Sequence, residues 1–173
     1  MAAAYLEAAI TMALQKKVDG MVTAPISKEA IRLAGHDYPG HTEWLADRSG
    51  VKQPVMLLIA GQIRIAVATT HTPLAQVSTK VDRVLVEAVL RVLSNELQQR
   101  FGIASPKIAV TGLNPHAGEH GQFGEEEIQE IEPAIRAFEN TETRVEGPFS
   151  ADALFARAVD ASPYDAYLAM YHD

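Results

Sequence analysis

The chain has 173 residues, 47% of them apolar, which suffices for one substantial core and excludes a disordered or fibrous protein. Its formal charge of −7 and isoelectric point near 5.3 oppose a nucleic-acid or anionic-membrane surface, because both partners are polyanions. With no cysteine in the sequence, a transition metal would have to be held by His, Asp or Glu, a usage that fits a cytoplasmic protein.

In the segment from Met1 to Lys17, Leu6, Ile10, Ala13 and Leu14 recur at helical spacing. Glu7 interrupts the apolar run and no basic stretch precedes it, so an amphipathic helix is expected rather than a signal sequence. Charges break every other apolar stretch before it reaches membrane-spanning length. Met21 and Val22, running into Thr23-Ala24-Pro25, predict a buried strand ending in a sharp turn. Ser27 is expected to cap a short helix closed by Gly35, and a second short helix should follow Thr42 and end at Gly50. Trp44 and Leu45 are assigned to the packing of that helix.

The runs Val55 to Ile59 and Ile63 to Ala68, around Gly61-Gln62, predict one antiparallel hairpin. From Val81 to Arg100 the residues Val84, Leu85, Val89, Val92, Leu93 and Leu97 form a long helical stripe, stopped by Gly102. Ile108 to Val110 predicts a buried strand. Glu125-Glu126-Glu127 then open a helix with Ile128, Ile131, Ile135 and Phe138 as its core face; the acids suit the helix dipole and read as a solvated first turn. Ser150 is expected to cap a helix from Asp152 to Val159, and Ala166 to Tyr171 to form the last strand. This alternation predicts a three-layer α/β fold with a mostly parallel sheet and one β-hairpin, without internal repeat, linker or secure internal boundary.

Three histidines, His71, His116 and His172, each stand just beyond the carboxyl end of a predicted strand, the edge at which open α/β sheets bind ligands. Imidazole is the commonest ligand of zinc-like ions, and three of them leave positions open for a substrate oxygen. Each histidine alone reads first as an ordinary loop residue; their shared edge brings the metal-site reading level with that one. Asp152 and Asp173 lie near the same edge, where a carboxylate can orient a histidine, although Asp152 is equally an ordinary acid of a first helical turn. Lys28 fits a phosphate or carboxylate contact and an exposed helix-start lysine equally well. His36 and His120 read as loop residues. Gly118, Gly121 and Gly124 give flexibility after His116 but form no GxGxxG fingerprint opening a helix, so a Rossmann site is not expected.

The segments around these residues carry more information. Val22-Thr23-Ala24-Pro25-Ile26-Ser27-Lys28, Gly40-His41-Thr42-Glu43, Thr69-Thr70-His71-Thr72-Pro73-Leu74, Gly112-Leu113-Asn114-Pro115-His116-Ala117-Gly118-Glu119 and Ala169-Met170-Tyr171-His172-Asp173 follow one another in the order of a known family. Along essentially its whole length the chain resembles the 4-hydroxythreonine-4-phosphate dehydrogenases. The resemblance implies that His71, His116 and His172 hold one divalent cation, zinc first with magnesium or cobalt as alternatives. It implies that His41 and Thr42 contact a phosphorylated small-molecule substrate, and that two subunits of a homodimer share each site. The implied fold is that of the isocitrate and isopropylmalate dehydrogenases, with this chain as the central portion, residues 1–173, of a two-domain enzyme. The implied reaction is NAD- or NADP-linked oxidation of a secondary alcohol, followed by decarboxylation, in pyridoxal phosphate biosynthesis. No residue is assigned as catalytic or cofactor-binding; the resemblance implies that a segment after the position of Asp173 carries the lysine, asparagine and arginine that complete the substrate site, together with much of the cofactor site. A threonate or erythronate 4-phosphate dehydrogenase, and a catalytically silent metal-binding or dimerising remnant, are the competing readings.

Overall fold

The computed structural model describes residues 1–158 and 162–171, grouped into two compact units, Met1–Pro54 and Val55–Asp173. In the first unit, α1 (Ala2–Leu14), α2 (Lys28–Leu33) and α3 (His41–Ser49) enclose a small core of Leu6, Ile10, Ile31 and Trp44. The caps follow the sequence: the Ser27 side chain accepts a hydrogen bond from the Ala30 N–H at 3.2 Å, and Gly50 ends α3 in the left-handed conformation. Trp44 is fully buried, its indole N–H donates to Glu7 at 2.6 Å, and its ring stacks against His36 and Tyr38.

Residues 21–25 do not form the predicted strand. The segment is extended loop and Val22 is fully exposed. A strand needs a neighbour for its backbone N–H and C=O groups, and the described residues of this unit contain no other strand to supply one.

The second unit holds a five-stranded sheet of β1 (Met56–Ala60), β2 (Ile63–Val67), β3 (Lys107–Thr111), β4 (Arg144–Phe149) and β5 (Ala166–Ala169), in the order β1-β2-β5-β3-β4. The β1–β2 pair is the expected antiparallel hairpin; β2–β5, β5–β3 and β3–β4 are parallel. The central strands are buried on both faces, which is why they read as unbroken apolar runs. Alternation sorts their side chains. Ala66, Ile108, Val110 and Leu168 face α4 (Leu74–Lys80), α5 (Arg83–Gln99) and α6 (Glu132–Arg136), whereas Ala109 and Tyr167 face α7 (Ala151–Ala158). Helices on both faces give the three layers.

Helix α5 begins at Asp82, whose side chain accepts from the Leu85 N–H at 2.7 Å, and it buries Val86, Val89, Leu90, Leu93 and Leu97. Each such side chain contributes roughly 1.5–3 kcal/mol. The stripe is rotated from the sequence expectation: Val84 is 76% exposed, while Val86 and Leu90 take the inward face. Ile128 is likewise exposed, whereas Ile131 is buried. A wide π-helical turn at Glu127–Ile131 shifts the helical phase there before α6 begins. Helix α4 and strand β4 have no counterpart in the sequence reading. Strand β4 carries Glu146, Gly147 and Pro148, a composition tolerated because it is an edge strand.

Candidate functional site

Since β2, β5 and β3 are parallel neighbours, their carboxyl ends lie on one edge of the sheet, about 4.8 Å apart from strand to strand. From that edge β2 runs into Thr69-Thr70-His71, β3 into the segment reaching His116, and β5 into Met170-Tyr171. His172 and Asp173 lie outside the described residues.

The β2 loop is tied to its neighbour by one buried residue. The Thr69 N–H and hydroxyl both donate to the Met170 carbonyl, at 3.1 and 2.8 Å. His71 follows two residues later at φ +51°, and Thr72 closes the turn by donating to the Thr70 carbonyl at 3.2 Å. A non-glycine residue with positive φ is uncommon and marks a backbone held by its surroundings.

The β3 loop carries that feature much further. Six consecutive residues, His116, Ala117, Gly118, Glu119, His120 and Gly121, have φ values of 54, 52, 75, 43, 58 and 90°. Left-handed backbone costs roughly 1–2 kcal/mol for each non-glycine residue, so this turn persists only if something nearby enforces it. Packed against it is Glu127, 2% exposed, whose Oε2 would lie 2.6 Å from a Cβ on Gly118. Its Oε1 accepts the backbone N–H groups of Leu113 at 2.7 Å and Asn114 at 2.8 Å, and its Oε2 accepts from the Asn114 side-chain amide at 3.0 Å. Glu126 takes the other proton of that amide, at 2.7 Å. Hydrogen bonds to a charged group contribute about 1.5–3 kcal/mol each, the same order as the strain they oppose. The expectation of a solvated acidic first turn therefore fails at Glu127, which turns inward to serve a loop. Glycines make the room: a Cβ on Gly118 would stand 2.6 Å from Glu127 Oε2, and one on Gly124 would strike the Asn114 amide. Those glycines, read from sequence as flexibility, were the available signal.

Beside this loop lies a cleft of about 290 Å³ lined by Asn114, His116, Ser150, Asp152, Met170 and Tyr171. The Asp152 carboxylate accepts the Ser150 hydroxyl proton at 2.5 Å. That bond, the Ala153 N–H and the nearby His116 hold its carboxyl below the usual carboxylate range. Asp152 and His116 thus line one cleft. His71, on the loop two strands away, is not among the residues lining this cleft. Among the described residues no three His, Asp or Glu side chains cluster closely enough to hold a metal ion. His41 and Thr42 occupy the half-buried first turn of α3, following Gly40, and Lys28 is exposed at the start of α2.

A family model described as "Pyridoxal phosphate biosynthetic protein PdxA" matches residues 1–173. The chain belongs to the PdxA family. A curated relative from Thioalkalivibrio sulfidiphilus, named 4-hydroxythreonine-4-phosphate dehydrogenase, is 47% identical over 98% of this chain and 51% of its own length. A crystal structure of 4-hydroxythreonine-4-phosphate dehydrogenase from Klebsiella pneumoniae superposes with a TM-score of 0.89 at 40% identity, covering 97% of this chain and 50% of that one. A terephthalate 1,2-cis-dihydrodioldehydrogenase from Burkholderia xenovorans superposes at 0.75 with 36% identity, covering 99% and 54%. The chain spans about half the length of the curated PdxA relatives it matches. No helix among the described residues is long and apolar enough to cross a membrane.

Proposed function

We propose that this chain is the central portion of a two-domain, cytoplasmic dehydrogenase that oxidises 4-phosphooxy-L-threonine to its 3-keto acid. Hydride passes to NAD or NADP and the hydroxyl proton is released. Loss of carbon dioxide then yields 3-amino-2-oxopropyl phosphate. The observation that carries the reading is the cleft at the carboxyl edge of a parallel sheet, lined by a strand-end histidine and an aspartate, in a member of the PdxA family.

The donor set suits a divalent cation of the zinc type. His71 and His116 follow β2 and β3, two strands apart on one sheet edge, and in sequence His172 follows the strand between them. These three would hold it, and when bound it would stabilise negative charge on oxygen. Asp152, which accepts the Ser150 hydroxyl, lines the same cleft as His116, where a carboxylate could orient the imidazole. His41 and Thr42 would meet the substrate phosphate through a hydroxyl and an imidazole, and a partner subunit in a homodimer would complete the site.

Calorimetric titration of the full chain with zinc tests the histidine set. The parent is expected to bind, His116→Ala to bind at least about tenfold more weakly, and affinity to fall as the medium is acidified, because a protonated imidazole cannot ligate. A His116→Ala protein that binds zinc like the parent refutes the shared site. Comparing turnover of 4-phosphooxy-L-threonine with threonate 4-phosphate in the full-length gene product then decides the substrate.

A further inference from the structure

We infer that Glu127 is a positioning residue: its buried carboxylate locks the left-handed turn that carries His116 and so sets where that imidazole stands. Three observations converge on it. The carboxylate is almost wholly buried and is engaged by three donors that all belong to residues 113 and 114, immediately before the turn. The turn contains four non-glycine residues in the left-handed region, a conformation that does not persist without outside support. Gly112 and Gly118 offer only the space that the carboxylate and Ala117 occupy, since a Cβ on either would meet Glu127 oxygens at 3.0 and 2.6 Å. Glu127 also opens the π-helical turn Glu127–Ile131, a local widening frequent at functional sites. It does not touch the cleft itself and acts through the loop.

The part of this inference that concerns metal rests on the reading of His116 as a ligand, and the test separates the two. In the full chain, Glu127→Gln keeps the size of the side chain but presents an amide where Oε2 accepts the Asn114 amide. Hydrogen exchange followed on peptides covering residues 112–121 is expected to accelerate, with peptides covering strand β3 unchanged, and zinc affinity is expected to fall about 10- to 100-fold. Adding Ala117→Gly should recover most of both losses, because glycine adopts positive φ without the Cβ penalty; a merely structural defect would not respond to it. Unchanged exchange and unchanged zinc affinity in folded Glu127→Gln overturn the inference, as does acceleration throughout β3 without rescue. Should the parent bind no zinc, the metal reading fails by itself, and exchange in the 112–121 peptides with its rescue by Ala117→Gly still decides the role of Glu127. If Glu127→Gln does not fold, Glu127→Asp, which keeps the charge and withdraws the oxygens by one methylene, is measured in the same way against the same outcomes.

Discussion

The loops after β2 and β3 each bend a histidine into the left-handed region, at φ +51° for His71 and +54° for His116, yet they are held by different chemistry. The β2 loop bends one residue and is tethered by neutral hydrogen bonds from Thr69 to the Met170 carbonyl. The β3 loop bends six residues, and a buried carboxylate holds the two residues that lead into it. The difference follows from reach. The short turn is tied to a backbone carbonyl just past the adjacent strand, whereas the long left-handed turn follows residues whose N–H groups are taken by a carboxylate from the helix start.

The largest expected effect that sharpens this contrast is that of Glu127→Ala. It leaves the Leu113 and Asn114 N–H groups without their acceptor, at about 1–3 kcal/mol for each orphaned donor, read from urea unfolding at constant slope. A loss under about 1 kcal/mol would mean that water replaces the carboxylate and that the two loops are held alike. Thr69→Val should cost less, about 0.5–1.5 kcal/mol in the same measurement, because the residue 69 N–H still serves the Met170 carbonyl. A Thr69→Val effect exceeding that of Glu127→Ala breaks the comparison.

The smallest effect belongs to Ser150→Ala, on the wall of the cleft next to the β3 loop. Asp152 has a folded pKa lowered chiefly by the Ser150 hydroxyl, so its contribution to stability is present above the ordinary carboxylate range and is lost as pH falls through the lowered value. Removing the hydroxyl should move the Asp152 titration, followed by NMR, back upward and shrink that acid-side contribution. Unfolding at neutral pH should change less than in Thr69→Val, because Asp152 is exposed and solvated. A carboxyl that titrates unchanged in Ser150→Ala would show that the Ala153 N–H and His116 suffice to hold it ionised.

How much of this was legible in the sequence differs between elements. The hairpin, the long helix ending before Gly102 and the buried strands around Ala109 and Leu168 were readable, because periodicity and turn residues are properties of neighbours in the chain. The strand expected at residues 21–25 was not realised, since apolar character in a short run says nothing about whether a pairing strand is available. Strand β4 went unseen for the converse reason: its residues suit an edge, and only the position of β3 makes it one.

By itself the sequence determined the mostly parallel α/β architecture and the placing of His71 and His116 just past strand ends, because both follow from local alternation and from where strands stop. Only the tertiary structure decided that Glu127, one of three consecutive acids, faces inward while Glu125 stays exposed. That choice depends on donors 13 and 14 positions earlier in the chain folding back onto the helix start, and no local pattern records which of three identical side chains they will meet.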